Sequence, residues 1–284
     1  MRDRLSTGEI LAVMDQASEL NTGQLEFALT GGEPFLDRRR LRELIAHGTS
    51  LGAIVSCVSN GFWASSMPRA LDVLAPLKTA GLQMIGISTS RFHRQYVEAV
   101  RVELAIAAAS QLGIRTMLKI AITKSDRYLP PEPPIARAEA MADVVEHFAV
   151  IGHGRDPSAI DESEWITSET IPVGRCPSAA ANIAEDGRYM ACCSSGPASP
   201  AFAFGNIGDT PLRECARRLS ASALHRQLRS HGPASFLPAI IQAGLSEKLR
   251  PAYHDVCDLC THLLSDPQMV AVSKQQAETF AVPP

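Results

Sequence analysis

Apolar positions in the first half of the chain recur with two different periods. Five short, β-branched runs begin near Leu25, Ala53, Met84, Thr116 and Phe148. Each is long enough for a strand and too short for a helix. Their starts lie about 28 to 32 residues apart, the length of a strand–helix–strand unit. Helical spacing fills the gaps, for example over Arg39–His47 and Ala99–Leu112, each followed by a glycine suited to a helix end. Ahead of the first run, Ser6-Thr7-Gly8-Glu9 is a capping-box pattern, with Ile10, Met14, Ala17 and Leu20 behind it at helical spacing and Asn21-Thr22-Gly23 as the stop. The alternation predicts an α/β fold with a parallel sheet covered by helices, open or curled toward a barrel. Chemistry in such folds sits at the C-terminal ends of the strands. Those ends are Gly31-Gly32-Glu33-Pro34, Ser59-Asn60-Gly61, Ser88-Thr89-Ser90, Thr123-Lys124-Ser125 and Gly152-His153-Gly154.

Composition narrows the class. The chain has 284 residues, 45% hydrophobic and 20% charged, with a formal net charge of -3. That suits a well-filled core and gives no reason to expect nucleic-acid or anionic-membrane binding. No apolar run approaches the roughly 18 residues of a membrane helix, and the charged start Met1-Arg2-Asp3-Arg4 has no signal-peptide core. The expectation is a cytoplasmic protein.

Seven cysteines are the unusual feature, six of them after residue 170. An odd number without an export signal points to metal ligation or buried thiols. Cys176 is followed by ten residues, Gly187, four more residues and Cys192, and Asp186-Gly187 reads as a two-residue hairpin that brings the two cysteines together. Cys257-x2-Cys260, about 65 residues on, is a close pair of the kind found at metal corners. Four thiolates on two corners fit tetrahedral zinc or a [4Fe-4S] cluster equally well. Cys193 competes with Cys192. Cys57, inside a strand, and Cys215, in the helical stretch Leu212–Leu228, read as buried thiols. The Pro130–Pro134 run reads as a rigid connector.

The run Phe27-Ala28-Leu29-Thr30-Gly31-Gly32-Glu33-Pro34 resembles the Gly-Gly-Glu-Pro motif of radical S-adenosylmethionine (radical SAM) enzymes. Two glycines let backbone approach a ligand, and proline stiffens the exit. Ser59-Asn60-Gly61 and Ser88-Thr89-Ser90 resemble the strand ends that follow in that family, although the usual Ser-x-Asp-Gly is here Ser88-Thr89-Ser90. The resemblance implies S-adenosylmethionine contacts at Gly31, Gly32, Glu33, Pro34, Asn60 and Ser88, with Arg101 as partner of its carboxylate. His93 reads first as a loop histidine with a structural hydrogen bond and Lys119 as a snorkelling lysine, the alternatives being a substrate contact for His93 and a barrel-facing lysine. The second half resembles the SPASM and twitch extensions of the family, with Gly205-Asn206-Ile207-Gly208 and Leu212 matching the stretch after their hairpin. That implies one auxiliary [4Fe-4S] cluster on Cys176, Cys192, Cys257 and Cys260. No cysteine follows Cys260 to complete a full SPASM set.

The implied organisation is a partial (β/α)6 radical SAM barrel over residues 1–155, a linker over 156–170 and a small α+β twitch-like domain over 171–284. The family also needs Cys-x3-Cys-x2-Cys after its first strand, and no such spacing exists among the seven cysteines. Counting back one unit from Leu25 puts the missing strand just ahead of Met1, so the expectation is a chain lacking its first unit, impaired in binding S-adenosylmethionine and unable to cleave it. An intact relative would form a 5′-deoxyadenosyl radical that takes a hydrogen atom from a peptide, with a flavodoxin or ferredoxin as reductant. The alternative is a non-catalytic peptide-binding remnant with a structural zinc site on the four cysteines. A hydrolase using Glu33 is disfavoured, since no second acid or histidine pairs with it by sequence.

Overall fold

The computed structural model describes residues 5–21, 23–150, 161–176, 181–192 and 199–279. They fall into two compact units, one of Ser6–Val150 and one containing the chain from Ile151 onward.

In the first unit, α1 (Thr7–Leu20) starts as the sequence predicts. Ser6 Oγ accepts from Glu9 N–H, and Glu9 Oε2 accepts from Ser6 N–H at 2.8 Å. The strands are β1 (Glu26–Leu29), β2 (Ile54–Ser59), β3 (Met84–Thr89), β4 (Arg115–Ile122) and β5 (Val144–Ala149). They form one parallel sheet in the order β1-β2-β3-β4-β5. Helices α2 (Arg38–Ser50), α3 (Met67–Thr79), α4 (Ala99–Gln111) and α5 (Pro133–Met141) make the connections. Because the order never reverses, right-handed crossovers put these helices on one face. Burial follows: Val55, Cys57 and Ser59 are buried and Ile54, Ser56 and Val58 half-buried, and β3 and β4 alternate in much the same way. The core between helices and sheet centres on Ile45, Leu74, Ile85, Ile87, Ile106 and Leu118.

Three expectations need correction. Strand β5 begins four residues before Phe148, and the end Gly152-His153-Gly154 lies outside the described residues. The proline run enters α5, where proline at the first positions gives up no helix hydrogen bond. Gly48 does not end α2, which runs on to Ser50. Gly48 instead allows close packing: a Cβ there would sit 2.8 Å from both Met14 Cε and Val55 Cγ2. Gly48→Val is therefore expected to destabilise this unit by about 1–3 kcal/mol through overpacking, read from its urea transition.

In the second unit, β6 (Asn182–Ile183), β7 (Arg188–Met190) and β8 (Ala203–Asn206) form an antiparallel sheet. The β6–β7 hairpin is present, but its loop is the three residues 185–187, since Ala184 N–H donates to Arg188 O. Asn206 ties β8 to it, donating from Nδ2 to Asp186 O at 2.9 Å. The stretch read as one helix over Leu212–Leu228 is two, α6 (Leu212–Ala221) and α7 (Ala223–His231), broken where Ser222 caps α7 through His225 N–H. Helices α8 (Leu237–Gln242), α9 (Val256–Ser265) and α10 (Pro267–Thr279) complete a core around Phe236, Ile240, Tyr253, Leu259 and Leu263.

Candidate functional site

At the C-terminal edge of the parallel sheet, the β1 loop is built around Glu33. Its Oε1 accepts from Ser59 Oγ at 2.9 Å and from Phe35 N–H at 3.2 Å, and its Oε2 accepts from Asn60 N–H at 2.9 Å. Ser59 is buried and its oxygen is fully used: it accepts from Trp63 Nε1 and Gly61 N–H while giving its proton to Glu33. Phe35 stacks on Trp63, centroids 4.7 Å apart. Glu33 is thus an anchor joining the ends of β1 and β2, with no lone acid function left for hydrolysis. Gly31 and Gly32 stand exposed above it with φ of 90° and 59°, and no atom lies within 4 Å of the Cβ position of either. Their backbone is open to a ligand.

The neighbouring ends are tied to the same frame. Asn60 Oδ1 accepts from Phe62 N–H, and Ser88 Oγ donates to Ser59 O at 3.4 Å. Arg101, on α4, donates from Nη1 to Phe62 O at 2.6 Å and from Nε to Glu98. Its guanidinium therefore holds the β2 loop. His93 Nδ1 shares a 2.7 Å hydrogen bond with Ser90 Oγ, and burial holds its pKa below the ordinary histidine value. Register puts Ser88, Lys119 and Glu146 in one row, with Lys119 Nζ 3.2 Å from Glu146 Oε2. Cys57 is buried, and burial followed by the charge of Glu33 pushes its thiol up to about 12.

In the second unit, Cys176, Cys192, Cys257 and Cys260 line one cavity, walled by Phe202 and Leu228 and bordered by His225. Burial, and then the neighbouring thiols of Cys192, Cys176 and Cys257, raise the Cys260 thiol well above its ordinary value. Two local devices bring the cysteines there. Cys257 and Cys260 lie three residues apart at the start of α9, hence on one face. Cys176 donates its N–H to Leu228 O at 2.9 Å, where Gly232 closes α7 so near Gly174 that a Cβ would stand 1.6 Å from its carbonyl oxygen. Cys193 lies outside the described residues. Among the described residues no three His, Cys, Asp or Glu side chains form a group that could hold a single metal ion as they stand.

The sequence reading missed what holds α9 in place. Asp255 caps the helix through Asp258 N–H. Asp258, 3% exposed, takes a charge-assisted hydrogen bond from Arg250 on Oδ1 and accepts from His254 N–H on Oδ2 at 2.9 Å. The Arg250 guanidinium also lies over Tyr253, 4.6 Å from the ring centroid. Asp255 three residues ahead of Asp258 is the pattern that could have flagged this helix start, whereas nothing in the local sequence marks Arg250 as the partner of Asp258. Cys215 is buried, as its position in a helix suggested.

No protein-family model matches the chain. It is 20% identical over 249 residues to YydG of Bacillus subtilis (strain 168), a protein named for peptide biosynthesis, covering 86% of this chain and 78% of that protein. Among solved structures it is similar to native anSMEcpe with bound AdoMet (S-adenosylmethionine), at 11% identity and a TM-score of 0.56 over 98% of this chain and 87% of the other. It is also similar to native anSMEcpe with bound AdoMet and the Cp18Cys peptide, at 12% identity and a TM-score of 0.54 over 96% and 92%. Among the described residues no helix is long and apolar enough to cross a membrane. The parallel sheet and its helices therefore share the fold of anSMEcpe.

Proposed function

We propose that the chain is a peptide-modifying protein of radical SAM type. The observation that carries this is the exposed Gly31-Gly32 backbone, held by Glu33 at the C-terminal edge of the parallel sheet. It offers open peptide groups to a polar ligand at the place where parallel α/β folds bind theirs. The similarity to anSMEcpe with AdoMet and peptide, and to YydG, supports S-adenosylmethionine as that ligand and a peptide as substrate. When bound, S-adenosylmethionine supplies hydrogen-abstraction chemistry in this superfamily. Gly31, Gly32, Glu33, Pro34, Asn60 and Ser88 form or frame its site, and Arg101 braces the β2 loop beside it.

The four cysteines of the second unit suit a soft, thiolate-bound group, which we assign as one auxiliary [4Fe-4S] cluster. The cluster that would reduce S-adenosylmethionine does not fit the residues present, because the seven cysteines contain no Cys-x3-Cys-x2-Cys. No bond-breaking step is therefore assigned to them, and a flavodoxin or ferredoxin enters only as reductant to a chain that carries that motif. A cytoplasmic location accords with the thiol chemistry.

Metal analysis after anaerobic purification tests the assignment. The expected result is about four iron and four acid-labile sulfide per chain, falling to background in Cys257→Ala/Cys260→Ala. One zinc without sulfide would replace the cluster by a structural four-thiolate zinc site and leave a peptide-binding protein.

A further inference from the structure

We propose that the corner between α6 and α7 is a binding site for an oxyanion, the carboxylate or phosphate group of a ligand, held by Arg226 and Arg229. A cavity of about 400 Å³ opens there, lined by Leu219, Ser220, His225, Arg226, Arg229 and Ser230. Three basic side chains converge on it, and among the described residues no carboxylate answers them. On α6, by contrast, Arg217 and Arg218 both rest on Glu214, at 2.7 Å and 2.9 Å.

The helix dipole does not account for the cluster. Arg229 lies in the last turn of α7, where positive charge is favourable, but Arg226 lies in its first turn, where the helix end is itself positive. That placement is mildly unfavourable, and an anion in the corner would offset it. His225 adds a second, separate sign. It is 8% exposed, lines the cavity, and its ring nitrogens make no hydrogen bond with any described residue; the ring meets the edge of Phe204 at 6.2 Å. A mostly buried imidazole that opens onto a cavity can exchange a hydrogen bond with a ligand placed there. Burial, and then the charge of Arg229, lower its pKa below the ordinary histidine value.

Donor geometry sets the ligand class. Ser220 and Ser230 give their protons to Ala216 O and Arg226 O, so neither hydroxyl proton is directed at a ligand. Recognition falls to the guanidinium groups, whose planar forks match two-oxygen acceptors. Arg226 commits Nη1 to Ser220 O at 3.1 Å, which fixes its plane and leaves its other nitrogens for the anion. Because His225 also borders the cysteine cavity, the anion would sit on the far side of one imidazole from Cys176, Cys192, Cys257 and Cys260.

The test is calorimetric titration of the whole purified chain with inorganic phosphate and, separately, with citrate at low ionic strength. Saturable binding of either probe is expected, weakened at least about tenfold (some 1.4 kcal/mol) in Arg226→Gln/Arg229→Gln and unchanged in Arg213→Gln on α6. Both arginines of the double variant are exposed, so it keeps its fold, which circular dichroism checks. Phosphate alone assigns a phosphate-bearing ligand, and citrate alone a carboxylate-bearing one. No saturable binding of either probe, or binding indifferent to the double variant, overturns the proposal. Cysteine-site metal content is not used as a readout, so failure here and failure of the cluster assignment are distinguishable.

Discussion

Asp258→Ala is expected to destabilise the second unit by about 3–5 kcal/mol, the effect of breaking a buried charge pair from one side. Asp258 is buried, whereas Arg250 remains partly exposed, which favours the lower end of that range. The change removes the acceptor for Arg250 and for His254 N–H together. Water cannot readily replace it, because Arg250 Nε is already buried without a partner. The consequence reaches the cysteines directly: Asp258 sits between Cys257 and Cys260, and its two acceptor bonds hold the first turn of α9 against the preceding loop. Denaturation of the purified protein should show an earlier transition, and metal content should fall with it. Asp258→Asn separates the two roles. It keeps an oxygen for His254 N–H and loses the charge, so a smaller loss of stability with retained metal is expected. Wild-type stability and metal content in Asp258→Ala would show that α9 is held by apolar packing alone.

Glu33→Ala should weaken binding of S-adenosylmethionine by at least about tenfold while costing roughly 2–3 kcal/mol of stability. The carboxylate makes no fresh contact with the ligand in this account; it fixes the loop whose backbone does. Glu33→Gln is informative because it should fare almost as badly. Ser59 accepts two hydrogen bonds and has one proton to give, so Glu33 must accept from Ser59, Phe35 and Asn60 at once. An amide turned either way sets its NH2 against a backbone N–H. Equilibrium dialysis of labelled S-adenosylmethionine, with thermal unfolding in parallel, reads both effects. Unaltered affinity in Glu33→Gln would remove Glu33 from the site.

Periodicity made the parallel sheet legible because each strand carries its own apolar run. The ends of β1, β2 and β3, at Leu29, Ser59 and Thr89, fall within two residues of where Gly, Ser and Asn interrupt the runs. β5 was read late because its first residues Val144 and Val145 are exposed and follow α5 after only two residues, so no gap separates strand from helix. Gly48 was misread as a helix end since its true cause, the approach of Met14 and Val55, lies on other elements. The same limit applies at the sites. Cysteine spacing along the chain singled out four thiols that line one cavity. The Arg250–Asp258 pair, the saturated Ser59 and the convergence of His225 with Arg226 and Arg229 depend on tertiary neighbours that no local pattern reports.

The unbroken order of the five parallel strands also bears on how the first unit is made in the cell. Glu26 pairs with Ile54, Ser56 with Met84, Met84 with Arg115 and Met117 with Val144, separations of 28, 28, 31 and 27 residues. No pairing waits for a distant part of the chain. At ribosomal speeds of about 5–20 residues per second, each new strand emerges within seconds of the partner it docks against. The sheet can thus grow one strand at a time during synthesis, with its hydrophobic helix face covered as it forms. Each of β2, β3 and β4 is an open edge only until the next strand docks, whereas among the described residues β1 and β5 stay at the two edges of the sheet.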